Sequence, residues 1–137
     1  MASRVFDVTE LDTFARNMQR SAQQFQRKQM TFLRKEGTKL KSKTVSRAQT
    51  LGRKTGNYIK SIKRGKVYDY NGAHAVRVYS TAPHAHLIEE GHRMVTHDGR
   101  EVGFVPGHHV FETAGREFET QYLVDVEDFL DEEVRSL

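Results

Sequence analysis

Leu11, Phe14, Met18, Ala22 and Phe25, with Phe32 or Leu33 beyond them, recur at three- and four-residue spacing, and most of what lies between them is polar. That period belongs to an α-helix and places the apolar positions on one narrow stripe of it. So thin a stripe buries little surface by itself, so the helix needs a second element or a second molecule to complete its burial. Thr9 and Asp12 make a capping-box-like start, which puts the beginning of the helix near Glu10. Gly37 interrupts the pattern at a cost of about 1 kcal/mol relative to alanine, so a kink or break is expected there. Leu40, Val45, Ala48 and Leu51 support a weaker helical continuation. Residues 27–54 hold many Thr and Ser among their lysines and arginines, which makes a weak isolated helix that gains order on assembly.

Charge divides the chain at Val67. Residues 1–66 hold 17 Lys or Arg against 4 Asp or Glu, and residues 67–137 hold 5 against 14. A chain so dipolar suits association of identical copies, or contact between its basic half and a polyanion; the plain alternative is two solvated helix faces. The 137 residues fit a single domain, and 36% hydrophobic residues is low enough to expect burial against partners. The domain spans 1–137, with a basic helical part at 1–54 and an α+β core at 55–137 that ends in an acidic helix.

Along that core, Thr55-Gly56 reads as an N-cap before one or two helical turns that place Tyr58, Ile59 and Ile62 on the core. Lys66–Tyr70 and Ala73–Ser80 flank Asn71-Gly72, a β-hairpin signal. Pro83 and Gly91 bracket a short helix. His97-Asp98-Gly99-Arg100 is a turn between Met94-Val95 and Val102, Phe104 and Val105, which predicts a second hairpin or surface arm. Phe111, Phe118, Tyr122, Val126, Phe129 and Leu130 lay a stripe on a terminal helix from about Val110 to Val134.

Several chemistries are excluded. The chain has no cysteine, which removes disulfides, thiolate metal sites and a thiol nucleophile. It has no GxSxG elbow and no phosphate-binding glycine loop, and Glu89-Glu90 and Glu132-Glu133 are adjacent pairs that diverge on a helix. His84, His86, His92, His97, His108 and His109 lie within 26 positions. His84 and His86 diverge in either regular conformation, as do His108 and His109, so surface, interface or backbone-bonded histidines are expected ahead of a metal site. No catalytic residue, cofactor or metal is assigned. No apolar run approaches a membrane span or a signal peptide, and a soluble product of the cytoplasm is expected.

Three stretches carry a family resemblance across residues 55–118. They are Thr55-Gly56-Asn57-Tyr58 with Ser61-Ile62, Ala82-Pro83-His84-Ala85-His86-Leu87-Ile88-Glu89-Glu90-Gly91, and Val105-Pro106-Gly107-His108-His109-Val110-Phe111-Glu112-Thr113-Ala114. Their order resembles the neck and tail-completion proteins of tailed bacteriophages, the family that includes the tail-completion protein Z of phage lambda. Pro83-His84 replaces the family's tyrosine region, and His108-His109 its arginine-proline pair. The resemblance implies an α+β fold of long N-terminal helices, a small antiparallel sheet with a hairpin, short helices and a C-terminal helix. It also implies a homo-oligomeric ring of six or twelve copies between the portal, connector or head-closure protein and the tail terminator or tail tube protein, in the neck or head-proximal tail of the virion. In such a ring the acidic terminal helix of one subunit complements the basic helix of the next.

Lys39, Lys43, Arg47, Glu90, Met94, Val95 and Phe104 are the candidate contacts to neighbouring subunits or rings. Gly91 is expected to end its helix at positive φ, and Glu90 to bond a nearby N–H or basic group. Lys41, Arg53 and Lys54 are the candidate DNA-facing residues, for transient contact with the genome. The alternative reading is a non-catalytic, sequence-independent nucleic-acid-binding protein whose basic half meets phosphates.

Overall fold

The computed structural model describes residues 8–52 and 56–136. In chain order it contains α1 (Val8–Gln49), α2 (Gly56–Ser61), β1 (Ile62–Arg64), β2 (Tyr68–Tyr70), β3 (Ala73–Ala75), β4 (Val78–Ser80), α3 (Ala85–Glu90), β5 (Gly91–Val95), β6 (Glu101–Pro106) and α4 (Val110–Arg135). This is the expected α+β arrangement. The N-cap expected at Thr55 lies outside the described residues.

At 1.5 Å per residue α1 is about 63 Å long and α4 about 39 Å. They pack antiparallel: Lys28 meets Glu133 at 3.3 Å, Lys39 meets Asp125 at 2.8 Å, and Arg47 meets Glu117 at 3.4 Å. Between these ion pairs runs an aromatic seam in which Phe32 stacks on Phe129 with centroids 4.6 Å apart, flanked by Phe25 and Tyr122. The second half of the apolar stripe is thus covered by α4. The first half is not, since α4 ends beside Lys28 and α1 runs on past it, leaving Phe14 60% and Met18 59% exposed.

No break occurs at Gly37, contrary to the expectation from sequence. Gly37 is buried inside a continuous α1, and a Cβ there would stand 2.9 Å from Cδ of Arg64 and 3.2 Å from a methyl of Val76. The residue is small because the hairpin leans on the helix at this point, and that packing offsets glycine's intrinsic cost. The threonines of the basic segment do not unravel it either. Thr31, Thr38 and Thr44 donate their hydroxyls to the carbonyls of Arg27, Arg34 and Leu40, one turn back along the helix.

The first hairpin begins earlier than the sequence suggests. Ile62 is not the last core position of a helix but the first residue of β1, paired with Ser80 of β4. β2 and β3 continue the hairpin to its tip at Asn71-Gly72, where φ of +50° and +83° makes the turn whose twist suits two paired strands. Three residues (65–67) oppose two (76–77) between the two ladders, a one-residue irregularity that bends the ribbon.

The compact core sits where the end of α1, α2, β4, α3 and the start of α4 converge. Ala48, Tyr58, Ile62 and Val110 are buried there, with Val45, Ile59, Val78, Ile88 and Phe111 around them. From its margin the second hairpin, β5–β6, projects as an arm.

Gly37→Ala is expected to be close to neutral, because the gain of about 1 kcal/mol in helix propensity offsets a small shift of the flexible Arg64 chain. Gly37→Val is expected to destabilise the fold by about 1–3 kcal/mol through overpacking against Val76. Urea denaturation followed by circular dichroism reads both.

Candidate functional site

The arm is built to stand out from the body. Gly91 ends α3 with φ +87°, the positive value expected, and a Cβ there would lie 2.3 Å from the Val105 carbonyl oxygen, so only glycine lets β5 and β6 close at their base. The strands pair from Gly91↔Pro106 to Arg93↔Phe104 and Met94↔Gly103, with a bulge before Val95↔Glu101. At the tip the backbone N–H of Thr96 donates to the Arg100 carbonyl at 2.9 Å, and the Thr96 hydroxyl donates to Asp98, which holds that carboxyl below its ordinary value. The loop is therefore an ordered turn on a paired ribbon.

Met94, Val95, Val102 and Phe104 are exposed along this ribbon, Phe104 by 58%. The register sets Phe104 on one face of the ribbon, opposite Arg93, and Met94 on the other, opposite Gly103, so the arm carries exposed apolar side chains on both faces and not on a single one. A group of large apolar side chains on a two-stranded arm is the kind of exposure that marks a contact surface.

A carboxylate fixes the root of the arm, and it belongs to Glu89. Oε2 of Glu89 accepts from the N–H of Phe111 and Oε1 from that of Glu112, each at 3.0 Å, while its carbonyl accepts from His109. This satisfies donors at the start of α4 that helix geometry leaves free, and it places negative charge at the positive end of the helix. The bonding to a nearby N–H expected of Glu90 is thus made by its neighbour, and Glu90 is exposed at the end of α3. No sequence signal marks this bond, because Glu89 and Phe111 are 22 positions apart with the whole β5–β6 arm between them, and only the closing of the arm at its base brings them together.

Lys39, Lys43 and Arg47 lie at four-residue intervals and share a face of α1. Lys39 and Arg47 meet Asp125 and Glu117, so the acidic helix facing this row is the chain's own α4, a pairing that the charge division had pointed outward to a neighbour. Lys43 is half-buried in the row. Lys41, also half-buried, is about 200° around the helix from Lys39 and stands apart from it. Arg53 and Lys54 lie outside the described residues.

Behind Lys39 is a group the sequence did not single out. Glu36 is only 3% exposed, and its Oε2 is buried without a hydrogen-bond partner. Burial first, and then the Asp125 carboxyl, push its pKa from 4.5 up to about 7, with Lys39 3.8 Å away pulling the other way. The hydrogen bond from Lys39, followed by one from Glu36, holds Asp125 below the ordinary carboxylate range. A buried glutamate beside a glycine on a basic helix leaves no distinctive mark in sequence.

Among the described residues no group of three or more His, Asp or Glu side chains is arranged to hold a metal ion, and no helix is long and apolar enough to cross a membrane. His74 lies 3.3 Å from Asp69 and His109 lies 3.2 Å from Glu112.

Comparison with known proteins gives one family. A family model described as "Bacteriophage HK97-gp10, putative tail-component" matches residues 12–91, which run from the first turns of α1 to the root of the arm. The match takes in the first two stretches of the resemblance noted above and not the third. No curated protein and no solved structure matches the chain.

Because Glu36 carries a raised pKa in the folded chain, its contribution favours folding below 4.5 and is lost as pH rises through about 7. Asp125, lowered from 3.8, contributes above that value and loses its effect only in acid, so the two windows do not overlap. Glu36→Gln should therefore gain stability over wild type progressively between about pH 5 and 8, reaching roughly 1–3 kcal/mol. Denaturation free energies of the two proteins, subtracted at each pH, cancel the histidines common to both. A pH-independent difference would refute the assignment.

Proposed function

The chain belongs to the HK97-gp10-like family of bacteriophage tail components, and from that premise we propose that it is a structural subunit of the neck or head-proximal tail. In this reading it assembles as a ring of six or twelve copies, completes the tail, and joins it to the portal, connector or head-closure protein on one side and the tail terminator or tube protein on the other. It performs no chemistry of its own, is made in the cytoplasm of the host bacterium, and ends in the virion.

The observation that supports this most is the arm. Met94, Val95, Val102 and Phe104 are held in the open by a bonded turn and a narrow base, a design that serves a contact with another molecule. A surface of this kind that meets a different surface on the next copy repeats by rotation, and where that rotation divides a full turn the copies close into a ring. Glu90 at the foot of the arm and the Lys39, Lys43 and Arg47 row are the polar contacts of the same assembly. The nucleic-acid reading has less support, because Lys28, Lys39 and Arg47 already face carboxylates of α4 and a duplex would have to compete with them. Lys41, Arg53 and Lys54 are left for transient contact with the genome.

Two measurements test the proposal. Electron microscopy of particles made without this chain should show tails of normal length that fail to join heads or end abnormally; unaltered particles would rule it out. Phe104→Asp should keep the melting temperature of the isolated chain, since the side chain is exposed, and reduce the yield of joined particles at least about tenfold by placing a charge in an apolar contact.

A further inference from the structure

α4 leaves the first turns of α1 uncovered, and the chemistry of that stretch differs from the rest of the helix. From Leu11 to Phe25 the positions Leu11, Phe14, Met18, Ser21 and Phe25 alternate three- and four-residue steps, the period of a helix-on-helix seam, and all but the small Ser21 are large and apolar. It is the same seam that α4 covers at Phe25 and Phe32, continued past the end of α4. Its flanking positions are Ala15 and Ala22 on one side and Asn17 and Gln24 on the other, so neither the seam nor its borders hold a charge. The charges of this stretch, Asp12, Arg16 and Arg20, lie on the opposite side, and Asp12 and Arg16 pair with each other at 2.9 Å.

Where α4 lies on α1, the borders are basic and matched by carboxylates. An acidic helix like α4 therefore suits residues 28–47 and finds nothing to pair with from 11 to 25. The surface that does suit an uncharged face with small borders is another of the same kind, and each copy of this chain carries one.

We propose that the exposed segment of α1 docks antiparallel on the same segment of a second copy, about a two-fold axis beside Met18. Direction follows from the ends. Glu10 lies at one end of the face and Arg27 and Lys28 at the other, so an antiparallel pair brings opposite charges together, whereas a parallel pair would set Glu10 against Glu10. The step where α4 stops agrees. Phe14, Met18, Ala22 and Phe25 of α1, with Leu130 and Val134 of α4, line a groove of about 660 Å³ there. A partner helix running antiparallel brings its first turn to this step and continues the line of α4, covering Leu130 and Val134. A two-fold contact closes on itself, so it is a different surface from the one that carries copies around a ring, and it does not depend on the ring reading.

The test uses the full chain in solution. Sedimentation velocity over a wide concentration range should show a reversible dimer. Phe14→Asp combined with Met18→Asp should weaken it at least about a hundredfold in dissociation constant, with helical circular dichroism and melting temperature retained, because both side chains are exposed in the single chain. The absence of cysteine allows a check on direction. With the axis at Met18, position 14 of one copy faces position 22 of the other, so Phe14→Cys mixed with Ala22→Cys should give a disulfide-linked dimer, while neither variant alone should do so. A wild type that is monomeric at every concentration, a doubly substituted chain that still dimerises, or self-crosslinking of either single variant would overturn the proposal. Loss of head joining with the dimer intact would bear on the arm and leave this contact standing.

Discussion

The antiparallel pairing of α1 with α4 is the interaction on which the remaining structure depends. α1 carries ten basic residues against three acidic, and α4 nine acidic against two basic, so the two helices attract over their whole shared length. The ion pairs at the rim are exposed and contribute about 1 kcal/mol or less each. Their combined effect is on orientation and register, because sliding one helix along the other would set Lys39 away from Asp125 and unstack Phe32 from Phe129. Once the register is set, the end of α1 and the start of α4 are side by side, and the small elements between them pack around that end, with the first hairpin reaching back along α1 to Gly37.

Two glutamates mark the limits of this arrangement. Glu89 takes up donors of Phe111 and Glu112 and so fastens α3 to the start of α4, closing the small core around Val110. Glu36 lies against α4 near Asp125, beside the glycine on which the hairpin leans, and there a carboxyl is buried with one oxygen unpartnered. Replacement by an apolar side chain of similar size would remove that cost, so the residue is not explained by stability.

Much of the architecture was legible in the sequence because its signals are local. The period of Phe118, Tyr122, Val126 and Phe129 marks α4, Asn71-Gly72 marks the hairpin tip, and Gly91 the end of α3. What was not legible depends on contacts between distant segments. Gly37 looked like an interruption because glycine's cost is local while its reason, the approach of Arg64 and Val76, comes from the hairpin. β1 was hidden because Ile62-Lys63-Arg64 forms a strand only through pairing with residues 78–80. The charge division was visible, but not that one chain satisfies it internally. Of the exposed apolar residues, Met94, Val95 and Phe104 were legible from a hydrophobic arm that had no place in the core, whereas the exposure of Phe14 and Met18 depended on where α4 ends.

The base of the arm has a mechanical meaning. Gly91 and Gly107 approach so closely that a Cβ on Gly107 would fall 2.3 Å from the Glu89 carbonyl oxygen, so the ribbon leaves the body through a neck of bare backbone. A side chain at either position would prop the strands apart, so the direction in which the arm leaves the body is set by main chain alone, next to Glu89, the residue that grips the first turn of α4. Whatever meets the tip of the arm is therefore positioned relative to α4 by backbone contact and a single carboxylate.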